Sequence, residues 1–265
     1  MKIGFIGCGN MASAIIKGII KSETVKAEDI NVFDVFSPAV EKLTEKYSLS
    51  VCSSEIDVVQ QSETVILAVK PNILPSVLSK INNTLKEKDI LLISIAAGKT
   101  IEFIRSNISQ DNRIIRVMPN INAVVGEAIC AYTAGTTVTE DDKKLTEEIF
   151  SGVGQVMYLE ENYFPLFGVL GGCGPAFAYM FIDSLARAGV KNGMKKDTAL
   201  MIAAQTVLGS AKMILESSEH PWSLIDKVCS PGGTTIEGVV SLQADGFEKS
   251  VHNAVDRAIK KDSKL

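Results

Sequence analysis

The chain has 265 residues, 46% of them hydrophobic and 22% charged, with a formal net charge of −4. That length suits one or two domains whose cores need no disulfide or metal, and the negative balance argues against nucleic acid or an anionic membrane as the main partner. The five cysteines, Cys8, Cys52, Cys130, Cys173 and Cys229, are scattered and odd in number, which fits a reducing compartment better than a disulfide framework.

Met1 and Lys2 lead straight into a strand pattern with no signal-peptide layout. KIGFIG, INVFD, TVILAVK, ILLISIA, RIIRVMP and VGQVMYL follow one another up to about residue 160. Short, nearly continuous apolar runs of this kind predict parallel strands buried on both faces. Helical patterns fill the gaps, at Asn10–Lys21, Pro38–Tyr47, Ile73–Lys80 and Glu140–Phe150. Such alternation predicts a Rossmann-like, doubly wound α/β sheet over residues 1–160.

From 161 to 265 the β character disappears. Pro175 is placed to start a helix over GCGPAFAYMFIDSLARAGV and Gly189 to end it; Asp197 is placed to cap TALMIAAQTVLGSAKMILES. Three more helical stretches follow at about Trp222–Val228, Ile236–Ala244 and Phe247–Lys261. The expectation is an all-α C-terminal domain whose most apolar helix packs against another subunit. No apolar stretch is read as reaching the ~20 residues that span a bilayer, so a soluble, cytoplasmic protein is expected. The lone histidines, His220 and His252, read as structural residues rather than ligands.

Two loops ask for a ligand. The first, Gly7-Cys8-Gly9-Asn10-Met11-Ala12, is a G-x-G-x-x-A pattern between the first strand and the first helix. Gly7 permits the tight turn, Gly9 lets a pyrophosphate approach the backbone, and Ala12 lets the helix pack close. The helix start then offers free N–H donors and about half a positive charge. Asp34, at the end of the second strand, is either a ribose-binding carboxylate or a turn aspartate before Ser37-Pro38. A ribose role favours NADH, no Arg or Lys lies between Asp34 and Glu41 to receive a 2′-phosphate, and Ser37 offers only a hydroxyl. Ala68-Val69-Lys70-Pro71 and Ile95-Ala96-Ala97 close two further strands toward the same sheet edge, where ligands of open α/β sheets bind. The second loop is Cys229-Ser230-Pro231-Gly232-Gly233-Thr234-Thr235-Ile236. A Pro-Gly-Gly turn before a helix, with Thr234 or Thr235 as N-cap, makes an anion site suited to a small carboxylate.

With these motifs in order, the chain resembles the pyrroline-5-carboxylate reductases. The likeness runs through GCGNMASAII, AVKP at 68–71, RVMPN at 116–120, GCGPAF at 172–177 and QTVLGSAKM at 205–213 to SPGGTTIEG at 230–238. The resemblance implies reduction of L-1-pyrroline-5-carboxylate to L-proline with NADPH or NADH, by a homo-oligomer joined through its C-terminal helices. It implies that Ile6, Gly7, Cys8, Gly9, Asn10, Met11, Ala68, Val69, Lys70, Pro71, Ile95, Ala96, Ala97 and Asn120 hold the cofactor. Ser230 and the backbone of Gly232, Gly233 and Thr234 would hold the substrate carboxylate, with Thr235 at the ring nitrogen as the catalytic residue. Cys173 stands where such enzymes often have serine, and the carboxylate before His220-Pro221 sits one position away from the family pattern, at Glu219.

Reducing a cyclic imine needs a hydride donor, a carboxylate anchor and a proton on nitrogen, and a protonated imine needs positioning more than it needs a strong acid. One rival reading is a β-hydroxyacid dehydrogenase using Lys212; it leaves the SPGGTT loop without a purpose. Another is a nicotinamide-binding sensor without catalysis, which the complete anchor loop argues against.

Overall fold

The computed structural model describes residues 1–109 and 111–262. It divides into two compact units, with the cut between Gly172 and Cys173.

Among the described residues, the first unit holds an eight-stranded sheet: β1 (Ile3–Ile6), β2 (Ile30–Phe33), β3 (Ser50–Val51), β4 (Thr64–Leu67), β5 (Leu91–Ser94), β6 (Arg113–Met118), β7 (Ala128–Ala134) and β8 (Gly154–Tyr158). The spatial order is β3-β2-β1-β4-β5-β6-β7-β8. The chain therefore winds one way from β1 and the other way from β4, so the topological switch point lies between them. There Ile3 pairs with Thr64 and Ile6 with Leu67. Helices α1 (Asn10–Lys21), α2 (Ser37–Thr44), α3 (Glu55–Gln61), α4 (Leu74–Leu85), α5 (Ile101–Ser106), α6 (Glu140–Ser151) and the short α7 (Phe164–Phe167) complete the unit.

Strands β1, β4 and β5 are buried along their whole lengths. Their period-2 side chains feed two separate cores. Ile3, Phe5, Ile66 and Ile93 join α1 in one; Ile6, Val65, Leu67 and Leu92 join α3 and α4 in the other. Burying each such side chain is worth roughly 1.5–3 kcal/mol, which accounts for strand runs without polar alternation. β8 departs from that expectation: it is an edge strand with Met157 and Tyr158 exposed. β7 also departs. It runs antiparallel to β6, with Met118 opposite Ala131. The connection between them holds only the 3₁₀ segment Ile121–Val125, too short for the crossover a parallel pair needs. The burial of Cys8, Cys52 and Cys130 pushes their thiols up, to about 12, 11 and 12 respectively.

Arg116, on β6, is a buried cation. Its guanidinium lies 3.0 Å from Glu161 and 4.4 Å from the centre of the Phe164 ring. The same Glu161 oxygen accepts the Ile101 N–H at 2.9 Å. One ion pair thus ties the sheet, the start of α5 and the turn before α7 together; a buried charge requires such pairing.

The second unit is helical: α8 (Gly174–Lys191), α9 (Lys196–Glu216), α10 (Pro221–Val228), α11 (Thr234–Ala244) and α12 (Phe247–Asp262). Helices α8 and α9 meet through small residues. Ala186, Ala199 and Ala203 are buried, and a Cβ on Gly189 would lie 3.0 Å from that of Ala199. Gly189 is therefore a packing residue inside α8. The helix ends at Lys191, and Gly193, with φ +93, makes the turn. Asp197 is not the cap of α9, because Lys195 holds that position. Its carboxylate sits in the first turn, where it favours the helix dipole.

The expectation about apolar length is also corrected. The helical run Glu161–Lys191 and helix Lys196–Glu216 are each long and apolar enough to cross a membrane by length and composition. Counting uninterrupted apolar residues overlooked stretches that a few polar residues interrupt. Within the unit these helices leave Tyr179, Met180, Met201, Leu208 and Leu215 exposed. Exposed large apolar side chains in such number fit an interaction face.

Candidate functional site

In the first unit, the C-terminal ends of β1 and β4 meet at the glycine loop. Gly7 has φ +100, and a Cβ there would lie 2.7 Å from the Ala68 carbonyl oxygen. Its N–H donates to the Phe33 carbonyl at 2.8 Å. The loop is thereby pressed between β2 and β4, and only glycine satisfies both the conformation and the space. Gly9 is different: a Cβ there would meet nothing within 4 Å. The space over it is open, and Gly9 caps α1 without any side-chain hydrogen bond. The first-turn amides of α1 thus keep their donors for a ligand. Ala12 is buried against the sheet, bringing the helix start close. An open glycine before an uncapped helix is the shape a pyrophosphate needs, so a dinucleotide fits this loop.

Of the other residues expected around the cofactor, Ile6 and Cys8 are buried, Asn10 is exposed and Met11 half-buried. Ala68, Val69 and Pro71 are half-buried at the end of β4, and Lys70 is exposed. The Lys70 carbonyl accepts the Ile73 N–H at 2.9 Å and the Leu74 N–H at 3.2 Å, which starts α4. After β5, Ala96 is buried and Ala97 exposed, with Ile95 between these extremes. The Ile95 N–H donates to the Leu67 carbonyl at 3.1 Å, which holds the two strand ends side by side.

Asp34 is anchored at both oxygens. Oδ2 accepts the Cys8 N–H at 2.7 Å, and Oδ1 accepts the Phe36 N–H at 2.9 Å. It is a turn aspartate that also straps the glycine loop, so the two readings of Asp34 are compatible. Its charge joins burial in raising the Cys8 thiol. Ser37 is exposed at the first position of α2. Asn120 departs from expectation. Its side chain is buried, its Oδ1 accepts the Ile129 N–H at 3.3 Å, and its Nδ2 donates to the Gly171 carbonyl at 3.0 Å. That amide clamps backbone to backbone. Sequence reading missed Glu55, at the start of α3, which lines the same recess as Gly7 and Asp34.

In the second unit, Ser230-Pro231-Gly232-Gly233 forms a turn closed by the Gly233 N–H donating to the Ser230 carbonyl at 3.0 Å. Pro231 and the positive φ of Gly232 (+67) occupy the two central positions, as a type II turn requires. The absence of a side chain at Gly233 leaves room for the Ser230 Oγ, which lies 2.3 Å from where a Cβ would stand and would have to turn aside for one. The Ser230 hydroxyl is thereby folded over the start of α11. The expected threonine cap is corrected: Gly233 is the N-cap, it makes no side-chain bond, and Thr234 and Thr235 are the first two helical residues. Both are exposed, and as first-turn residues they carry amides without intrahelical partners close to Ser230. With its own amide spent on the turn, Gly233 contributes shape rather than a donor.

Neighbouring polar groups are otherwise engaged. Glu219 pairs with Lys227 at 2.5 Å. The His220 ring accepts the Trp222 N–H at 3.2 Å as N-cap of α10, the structural role expected of it. Lys212 pairs with Glu216 at 3.5 Å on an exposed helix face, which leaves the hydroxyacid-dehydrogenase reading without a prepared lysine. No cluster of His, Cys, Asp and Glu suited to a metal occurs among the described residues.

Comparison with known proteins bears on both halves. Residues 161–265 match the family model for pyrroline-5-carboxylate reductase dimerisation, and residues 2–98 match that of the NADP oxidoreductases described as coenzyme F420-dependent. The chain is 42% identical over 264 residues to a pyrroline-5-carboxylate reductase of Methanosarcina acetivorans, covering 100% of this chain and 97% of that one. A solved pyrroline-5-carboxylate reductase of Coxiella burnetii superposes with a TM-score of 0.94 at 31% identity, covering 99% of this chain and 97% of the other. The Plasmodium falciparum pyrroline carboxylate reductase, solved with NADP bound, gives a TM-score of 0.85 at 34% identity, with coverage of 99% and 97%.

Proposed function

Because this chain belongs to the pyrroline-5-carboxylate reductase family, we propose that its glycine loop and its Ser230–Thr235 turn divide between them the work of turning L-1-pyrroline-5-carboxylate into L-proline. The chain is an NAD(P)-dependent oxidoreductase of the last step of proline biosynthesis, and it self-associates through its C-terminal helices. That association explains the bare apolar faces of α8 and α9, which a second copy covers. Residues 161–265 serve as the substrate-binding and oligomerisation domain, and 1–160 as the dinucleotide-binding domain. The working compartment is the cytoplasm, in keeping with five unpaired thiols, of which Cys8, Cys52 and Cys130 are buried.

When bound, the reduced nicotinamide supplies a hydride to the imine carbon. The chain's own residues do the holding. The amides at the start of α1, beyond Gly9, hold the pyrophosphate, and Ala68–Pro71 with Ile95–Ala97 line the path toward the nicotinamide. On the substrate side, the Ser230 hydroxyl and the Gly232, Thr234 and Thr235 amides donate to the carboxylate, supported by the dipole of α11. The Thr235 hydroxyl bonds the ring nitrogen and passes its proton to it as the amine forms, taking a proton back from solvent. Each amide adds modestly, so the anchor is a shared one.

The observation that carries this reading is the uncapped start of α11, with Gly233 shaped so that the Ser230 hydroxyl lies beside it. It is tested by following oxidation of the reduced coenzyme on addition of the five-membered imine acid, with L-proline and pyrrolidine as inhibitors. Turnover is expected, with proline competing against the imine and pyrrolidine, which lacks the carboxylate, binding at least about tenfold more weakly. Equal inhibition by the two would remove the anion anchor, and turnover of hydroxy acids instead of the imine would favour the dehydrogenase reading.

A further inference from the structure

Beside Gly7, the recess at the ends of β1, β2 and β4 is lined by apolar Val35, Val69 and Ile73 and by two acidic residues, Asp34 and Glu55. This recess adjoins the pyrophosphate loop on the side where β2 ends, which is where the adenosine half of a dinucleotide lies in such a sheet. We propose that Asp34 and Glu55 make this chain select NADH over NADPH. The inference rests on the coenzyme reading above and adds to it the choice of ribose.

The argument is one of charge and of spent donors. Each Asp34 oxygen already accepts one backbone N–H, which fixes the carboxylate in place. Each still has a lone pair for a hydroxyl donor, since an ionised carboxylate accepts about four hydrogen bonds in all. A ribose diol has two such donors to give. A 2′-phosphate has none to give once ionised, and it carries about −1.5 to −2 charges. It would face the fixed Asp34 carboxylate and that of Glu55, which lines the same recess. The groups that could compensate are occupied. The Phe36 amide at the start of α2 is donated to Asp34. Lys80 lies 2.7 Å from Glu55, so its ammonium is engaged there and is not free for an incoming anion. No cation lines the recess among the described residues, and Ser37 adds a hydroxyl without charge.

The test is a fluorescence titration of the full chain with NADH and NADPH, run alongside turnover of the imine with each coenzyme. The wild-type chain is expected to bind NADH at least about tenfold more tightly than NADPH, because like-charge juxtaposition rejects the wrong partner. Glu55→Gln keeps the side-chain shape and frees Lys80, so the ratio should move toward NADPH. Asp34→Ser should move it further, whatever it costs the glycine loop. Equal or tighter binding of NADPH by the wild-type chain overturns the inference while leaving the reductase reading intact. A ratio that favours NADH but is moved by neither substitution also overturns it, since other residues would then be choosing. NADH-selective binding without imine turnover upholds this inference and removes the proposed function instead. Failure to bind either coenzyme removes both.

Discussion

Gly7→Val and Gly9→Ala are expected to lose coenzyme binding for different reasons, and the difference is measurable. At Gly7 the backbone adopts φ +100, and a side chain would run into the Ala68 carbonyl at 2.7 Å. That obstacle is strand backbone, which cannot rotate aside. Strained left-handed geometry alone costs about 1–3 kcal/mol, and the clash adds to it. The variant should therefore melt several degrees lower and bind coenzyme at least about a hundredfold more weakly, the effect of roughly 3 kcal/mol. Gly9 has an ordinary φ of −68 and open space where its Cβ would stand. The alanine variant should fold with an unchanged melting temperature and still lose coenzyme affinity, because the methyl group takes up the pyrophosphate's line of approach. Calorimetry and a coenzyme titration on both variants decide the matter. A Gly9→Ala protein that binds coenzyme like the wild type would mean that the loop serves the fold alone.

Thr235→Ala should lower kcat about a hundredfold, the lower end of what a positioned proton donor supplies, while the coenzyme affinity stays within about twofold of the wild type. The residue is exposed in the first turn of α11 and caps nothing, so stability should not change. Thr235→Ser restores the hydroxyl at the same backbone position and should recover most of the rate. Removal of Ser230 should act on the other kinetic parameter: Ser230→Ala takes one donor from the carboxylate anchor and raises KM more than it lowers kcat. Steady-state kinetics on the three variants separates proton delivery from anchoring. Equal rates for Thr235→Ala and the wild type would assign the nitrogen's proton to solvent or to the substrate itself.

Much of the first unit could be read directly because its central strands are buried on both faces and therefore carry apolar runs, as at 65–67 and 91–93. The limits of α1, Asn10 to Lys21, were legible for a similar reason: a glycine loop precedes the helix and a clear apolar face runs along it. β7 was not legible, because Ala128, Cys130, Ala131 and Ala134 lack the branched and aromatic character that signals a strand. The errors at helix ends share one cause. Thr234 and Asp197 are residue types that cap helices, but Gly233 and Lys195 occupy the capping positions because the preceding turns are closed by backbone bonds. Gly189 looked like a stop signal, yet what decides its place is contact with Ala199 on another helix. Asn120 shows the same limit at the site. Its motif, RVMPN, points toward a ligand, whereas its amide is spent on Ile129 and Gly171, partners that no spacing in the sequence reveals. Glu55 went unread because α3 is short and polar at four of its seven positions, and only the fold brings it beside Gly7 and Asp34.

The most direct measurement uses coenzyme carrying deuterium at the transferable position of its reduced nicotinamide ring, with L-1-pyrroline-5-carboxylate as the other reactant. The account predicts L-proline with one deuterium, on the carbon that was double-bonded to nitrogen, and matching oxidation of the coenzyme. Proline without the label, or label on any other carbon, would contradict it.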